Sequence, residues 1–380
     1  MKCSCCIITL YIALFTGLLL SIALPAKASP LPLKLEIHNI LDDYAAQSET
    51  AGVSVLLKQG EARHIITSGV ANIDTQQTLK PDTRFHIASL TKMFTAVTIL
   101  HLIETERLTL DAKFTDILGD PFDGRLDNYK DSTIKMALEH STGMVDFVNN
   151  GFDMAAMTKK NTLWTPYEAI AYALDEPATH QAGRAYSYSS TGYLLLGEVI
   201  RKITGQQDFN AIFHDIIFAK ANMHDTYFPN GKRPRANNLA HGYKRSVGYS
   251  RKAVDVTEIE WGEGLADGGL VSTLLDIEKF LNALVMDKTL LRQDMLDIMM
   301  SADNKAAYKD GGGRGLMVLN DAPENTQNMP LLYGHTGHYI GYRSLAYINP
   351  LNGDMVILFA NGEFFPMHRF LQDTGFMILE

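Results

Sequence analysis

Cysteine is nearly absent from this 380-residue sequence, and the three present, Cys3, Cys5 and Cys6, sit at its very start. If that start is removed on export, nothing is left for a disulfide, a thiol nucleophile or a cysteine-bound metal. Basic charge is also short: 34 Lys and Arg stand against 43 Asp and Glu, a formal charge of −9. This balance argues against nucleic acid or an anionic membrane surface as partner. Beyond the N-terminal run, no stretch is long and apolar enough to span a bilayer. There is no His-Glu-x-x-His, so neither a catalytic zinc nor any other metal or cofactor is expected. There is no Gly-x-Ser-x-Gly, which disfavours an α/β-hydrolase. Gly311-Gly312-Gly313 lacks a following Lys-Ser/Thr and reads as a flexible loop, not a phosphate cradle. No repeat or low-complexity tract is visible. What remains is ordinary globular composition, 46% hydrophobic and 20% charged, with ample core.

The N-terminal run begins after Lys2 and is apolar over residues 5–24; Ala26-Lys27-Ala28 then has the small-x-small form of a signal-peptidase site. Residues 1–28 are therefore expected to be a secretory signal, giving a periplasmic or secreted protein that starts at Ser29. Loss of Lys2 and Lys27 takes the formal charge from −9 to −11. The competing reading is an uncleaved anchor, the one way in which a membrane would be a partner.

Leu33, Ile37, Ile40, Leu41 and Tyr44 recur at helical spacing, predicting a helix over 33–47. Two β-branched runs, 52–57 and 64–69, flank Gln59-Gly60-Glu61 and predict a hairpin. A helix follows to about Glu106. From 108 to 263 helical patches at 133–140, 166–174, 191–204 and 209–219 alternate with loops, among them 149–161, 229–235 and 243–252. Strand signals return at 268–271, ahead of a helix at 274–285, then at 315–320, 333–338, 342–349 and 354–361, with a closing helix near 366–376. Asn349-Pro350-Leu351-Asn352-Gly353 is a tight turn between the last two strands. Strands at both ends with helices between predict an α/β chain of the α+β type. One antiparallel sheet is built from both ends (29–107 and 264–380) and flanked by helices, with an inserted, mostly helical domain at 108–263.

Ser89 and Lys92 are three apart at the start of the helix that follows Arg84-Phe85-His86-Ile87. On a helix that spacing puts both side chains on one face, about one turn apart. A serine nucleophile needs a base for its proton and a positive place for the oxyanion, and a helix N-terminus beside a lysine offers both. The pattern by itself is weak. Ser132 and Lys135 repeat it, and there Ser132 or Thr133 is read as a helix cap. Taken alone, Ser89 could equally be a cap, and Tyr188 a core tyrosine. His335 and His338, three apart on a regular strand, face opposite sides and cannot share a metal ion.

Further motifs lift Ser89 above Ser132. In chain order come Ser89-Leu90-Thr91-Lys92, Tyr188-Ser189-Ser190 and His335-Thr336-Gly337, supported by Leu138-Glu139-His140-Ser141-Thr142-Gly143-Met144 and Gly268-Gly269-Leu270-Val271-Ser272-Thr273. Together they resemble the serine β-lactamase and penicillin-binding-protein superfamily, in the style of class C β-lactamases, DD-carboxypeptidases and related esterases. The resemblance implies Ser89 as nucleophile and Lys92 and Tyr188 as proton carriers. It also implies an oxyanion hole from the backbone N–H groups of Ser89 and His338, and a substrate contact from the Thr336 hydroxyl. For Lys92 to serve as base it must be neutral, which burial and nearby positive groups would favour. The expected substrate wall is Ser190, His335, Thr336, Gly337 and His338.

Two departures from the family pattern stand out. Ser190 occupies the place where relatives carry Asn, and a hydroxyl reaches less far than an amide. No Arg lies within 316–320, although Arg314 and Arg343 flank it. The implied activity is that of a secreted serine hydrolase, D-Ala-D-Ala carboxypeptidase-like on cell-wall peptides. A β-lactamase or carboxylesterase is the first alternative, and a catalytically idle cell-wall peptide-binding protein the second. Choice of leaving group is expected to rest with the loops at 149–161 and 228–261.

Overall fold

The computed structural model describes residues 34–48, 50–159, 162–229, 238–245, 253–259, 265–301, 314–319 and 332–374. The expected signal at 1–28 and the glycine run at 311–313 lie outside these residues. The strands are β1 (Gly52–Gln59), β2 (Ala62–Asn72), β3 (Gln77–Thr78), β4 (Phe85–His86), β5 (Tyr243–Arg245), β6 (Ala253–Asp255), β7 (Val271–Ser272), β8 (Met317–Leu319), β9 (Leu332–Tyr339), β10 (Tyr342–Ile348) and β11 (Met355–Ala360). Seven of them form one antiparallel sheet in the order β3-β2-β1-β11-β10-β9-β8. The first and last strands of the chain are therefore neighbours, with Val55 opposite Leu358. This is the mixed α/β fold, one antiparallel sheet built from both ends and flanked by helices, that the sequence leads one to expect.

The central strands are apolar on both faces because both are covered. Val53, Val55 and Leu57 of β1 and Val356, Leu358 and Ala360 of β11 pack with Ile37, Leu41 and Tyr44 of helix α1 (Lys34–Ser48) and Phe370 and Leu371 of the terminal helix Met367–Asp373. The residues between them, Leu56, Ile357 and Phe359, turn to the opposite face, as the two-residue strand period requires. There they join helix α2 (Thr91–Glu104), which is buried all round. The same apolar cluster runs on through Tyr193, Leu194 and Phe213 to Phe152 and Trp164, so the helical insertion shares its core with the sheet.

Several elements differ from expectation. Residues 150–158 form a helix, not a loop, because the Asn149 side chain accepts from the N–H groups of Gly151 and Phe152 and caps it. Helix Gln293–Met300 and the β5–β6 pair also escape a reading by periodicity, being short. The strand expected at 268–271 is reduced to β7, which leaves the main sheet and pairs with β4. Helix Ile134–Leu138 is capped by Thr133, one of the two residues expected there. The turn at 349–353 forms as read, with Gly353 N–H donating to the Asn349 carbonyl at 2.9 Å. Among the described residues no helix is long and apolar enough to cross a membrane.

Candidate active site

Three segments remote in sequence converge on the first turn of α2. Ser89 lies in the 3₁₀ turn Ala88–Leu90 that leads into the helix, so it is presented at the helix head. Ala88 holds a positive φ of 50°, a conformation that side chains disfavour and that clusters where function over-determines the backbone. The turn is fixed from two sides. Ile87 N–H donates to the Leu270 carbonyl and Ser344 Oγ to the Ile87 carbonyl, while the Thr91 hydroxyl bonds the Ala88 carbonyl and accepts from Leu270 N–H. Strand β9 can pass close only because residue 337 is glycine: a Cβ there would meet the Ile87 carbonyl oxygen at 2.5 Å and the Ala88 Cβ at 3.0 Å.

Lys92 is fully buried. Its Nζ donates to Ser89 Oγ at 3.2 Å, Ser190 Oγ at 3.1 Å and the Asp267 carbonyl at 2.9 Å. It stands 5.0 Å from the centre of the Tyr188 ring and 5.5 Å from that of Tyr193. Burial alone would push the Lys92 ammonium down. Tyr188, the Asp267 carboxylate 3.9 Å away and Asp146 outweigh that, so its pKa is raised. Lys92 is therefore a cation in the resting site. Of the two factors that would favour a neutral lysine, the structure supplies the burial but places acids, not cations, beside it.

Tyr188 sits on the entrance to helix Ser190–Thr204, stacked at 4.3 Å on the buried ring of His140 and tilted against His335 at 6.2 Å. Burial first, then the Lys92 charge, hold His140 far below the usual imidazole range and bring His335 down to about 3. Both rings are neutral near pH 7 and frame the phenol without competing for its proton. On β9 the side chains of His335 and His338 are buried and exposed respectively, on opposite faces. Thr336 is partly exposed and donates to Met317 Sδ at 3.6 Å. Ser89, Tyr188, Ser190 and the run His335-Thr336-Gly337-His338 all line one cavity of about 390 Å³, large enough for a small substrate. Arg343 stands on its wall, opposite His338 in the β9–β10 register. Arg314 is elsewhere, in a buried ion pair with Glu139 at 2.6 Å.

Asp146 and Asp267 line the same cavity, and no motif announces them. Asp146 follows the 138–144 stretch by two residues and Asp267 precedes the 268–273 stretch by one. The available signal is an acid flanked by apolar residues. Burial pushes the Asp146 carboxyl up to about 6 from an ordinary 3.8, against the pull of Lys92. The folded chain thus binds this proton more tightly than the unfolded chain, and stability falls as pH rises from 4 through 6. Asp146→Asn should raise stability at pH 7 by at most about 3 kcal/mol, with the gain vanishing towards pH 4. Urea unfolding at both values checks this. No gain at pH 7 would mean that Lys92 fully offsets the burial. Among the described residues no cluster of three or more His, Cys, Asp or Glu could hold a metal ion.

Against known proteins, the model of the Beta-lactamase family matches residues 37–374. Penicillin-binding protein 4* of Bacillus subtilis (strain 168) is 24% identical over 329 residues, 81% of this chain and 67% of that protein. A putative fimbrial assembly protein FimD, serogroup D, of Dichelobacter nodosus is 29% identical over 216 residues, 55% of this chain but only half of that protein's length. Among solved structures, the D-amino acid amidase of Ochrobactrum anthropi SV3 in complex with L-phenylalanine superimposes with a TM-score of 0.71 at 26% identity, over 87% of this chain and 92% of that one. A D-stereospecific amidohydrolase from Streptomyces sp. shares the fold, with a TM-score of 0.77 at 22% identity, over 90% and 98% of the two chains.

Proposed function

We propose, from the premise that the chain belongs to the Beta-lactamase family, that it is a serine hydrolase working through an acyl-enzyme on Ser89 and cleaving small peptides or amides of D-amino acids. The observation that carries this is the bond from the buried Lys92 ammonium to Ser89 Oγ at the mouth of the cavity, with Tyr188 beside both. Ser89 Oγ attacks the substrate carbonyl while the Tyr188 oxygen, kept as acceptor by the Lys92 ammonium, takes its proton and then delivers it to the leaving group. The carbonyl oxygen gathers negative charge at the helix head, between the backbone N–H groups of Ser89 and His338. Water then repeats the sequence to release the acid. A D-Ala-D-Ala carboxypeptidase is one form of this activity. The amidase similarity extends it to simple D-amino acid amides, and small activated esters are the easiest substrates for such a site. The leader at 1–28 would place the protein outside the cytoplasm.

Intact-mass measurement of the exported protein, before and after incubation with a penicillin and with an activated D-alanyl ester, tests this reading. The expected result is a polypeptide that begins at Ser29 and gains one acyl group on the Ser89 peptide. A rate panel of ester, D-alanyl amide, D-Ala-D-Ala peptide and cephalosporin then ranks the leaving groups. Absence of any adduct and any turnover would instead support a binding protein that retained the fold.

A further inference from the structure

One carboxylate oxygen in the cavity wall has no hydrogen-bond partner among the described residues. Asp267 is 3% exposed, and its Oδ1 makes no hydrogen bond. The Ser190 hydroxyl accepts from Lys92 at 3.1 Å. On the other side of the same residue, Asp146 Oδ1 accepts from the Ser190 backbone N–H at 3.1 Å. Two carboxylates thus flank Ser190 and face one ammonium, Lys92. The remaining basic groups of the wall are held elsewhere: Lys244 Nζ is 3.7 Å from Glu363 Oε1, and Arg343 Nε donates to the Glu363 carbonyl at 2.7 Å. A buried charge in excess is costly unless something pairs with it. An amide side chain at 190 would offer the substrate an N–H donor. Asp267 Oδ1 offers an acceptor instead.

The α-amino nitrogen of an amino acid derivative lies two bonds, roughly 2.5 Å, from the carbonyl carbon under attack. A wall that holds Lys92 against Ser89 is therefore within reach of that nitrogen, which is protonated near neutral pH. We propose that Asp267 and Asp146 form the subsite for the substrate's free α-ammonium. The preferred substrates are then unacylated amino acid amides, esters and N-terminal residues of short peptides, and compounds whose amine is acylated are disfavoured. This rests on Ser89 as the acylated residue and names the substrate class of that site.

The test compares kcat/KM for D-alanine p-nitroanilide with that for its N-acetyl derivative, in the wild type, Asp267→Asn and Asp146→Asn. The wild type should favour the free amine by roughly 10- to 100-fold, the size of one charge-assisted hydrogen bond. Each variant should bring the ratio towards unity, chiefly through KM of the amine substrate. A role confined to positioning Lys92 would lower both substrates alike and leave the ratio unchanged. The wild-type ratio needs no variant to fold. Equal or better use of the N-acetyl compound, or a ratio that survives both substitutions, overturns the proposal. p-Nitrophenyl acetate, which has no amine, separates the two levels. If it acylates Ser89 while the amine preference is missing, only the subsite falls; if it does not, the assignment of Ser89 falls and the subsite with it.

Discussion

Ser89→Ala should abolish acylation and leave the fold intact. The Ser89 hydroxyl is partly exposed to the cavity, and the hydrogen bond it makes is the one it accepts from Lys92. The turn is held by Ile87, Ala88 and Thr91 through bonds that do not involve that oxygen. Stability should therefore change by no more than about 1 kcal/mol, while covalent labelling and turnover disappear. Alanine carries no oxygen to take the acyl group at the helix head. Ser132 is the control, because it begins the same Ser-x-x-Lys pattern. Its hydroxyl is buried and donates to the Asn128 carbonyl at 2.8 Å. Ser132→Ala should cost about 1 kcal/mol of stability and nothing in labelling. Labelling lost at 132 and retained at 89 would reverse the assignment.

Lys92→Met should lower kcat by at least about 10⁴-fold, on the scale of losing one member of a serine hydrolase triad, and should weaken the fold as well. Methionine matches the length of the stem but removes the three bonds that the ammonium makes. It also leaves the buried Asp267 carboxylate, 3.9 Å from that ammonium, without its cation. Removing one partner of a buried ion pair costs about 3–5 kcal/mol. Part of that loss should be recovered in the double variant Lys92→Met with Asp267→Asn, read by thermal unfolding, whereas activity should not return. Lys92→Arg keeps the charge but brings a larger planar group into a fully buried slot, which would displace the contacts to Ser89, Ser190 and Asp267. It should fail almost as badly in kcat. Near-normal turnover by the Arg variant would make Lys92 a purely electrostatic group and leave Tyr188 as the base.

Much of this molecule is legible along the chain. The alternation of Val53, Val55 and Leu57 with Leu56, the tight turn at Asn349–Gly353 and the run of α2 are local patterns, and local hydrogen-bond geometry imposes their periods. Ser89 and Lys92 are legible for the same reason, since three residues of one helix set their distance. Tyr188, Ser190 and His335 to His338 could be named only through resemblance, because nothing local brings them to Ser89. The helix at 150–158 is not legible in the sequence because its cap and two apolar anchors, Phe152 and Ala156, are too sparse to show a period.

The sequence by itself determined that the sheet is assembled from both ends, that a serine stands one helical turn from a lysine, and that the three cysteines all lie within its first six residues. Tertiary structure alone decided the charge of that lysine. Its pKa is a balance between burial, which favours the neutral amine, and the fields of Tyr188, Asp267 and Asp146, which favour the cation. Those groups lie 54 to 175 positions away in the chain, so no window around Lys92 contains them. Electrostatic interaction depends on distance in space and on the surrounding dielectric, and both are fixed only when the segments at 146, 188 and 267 close around α2.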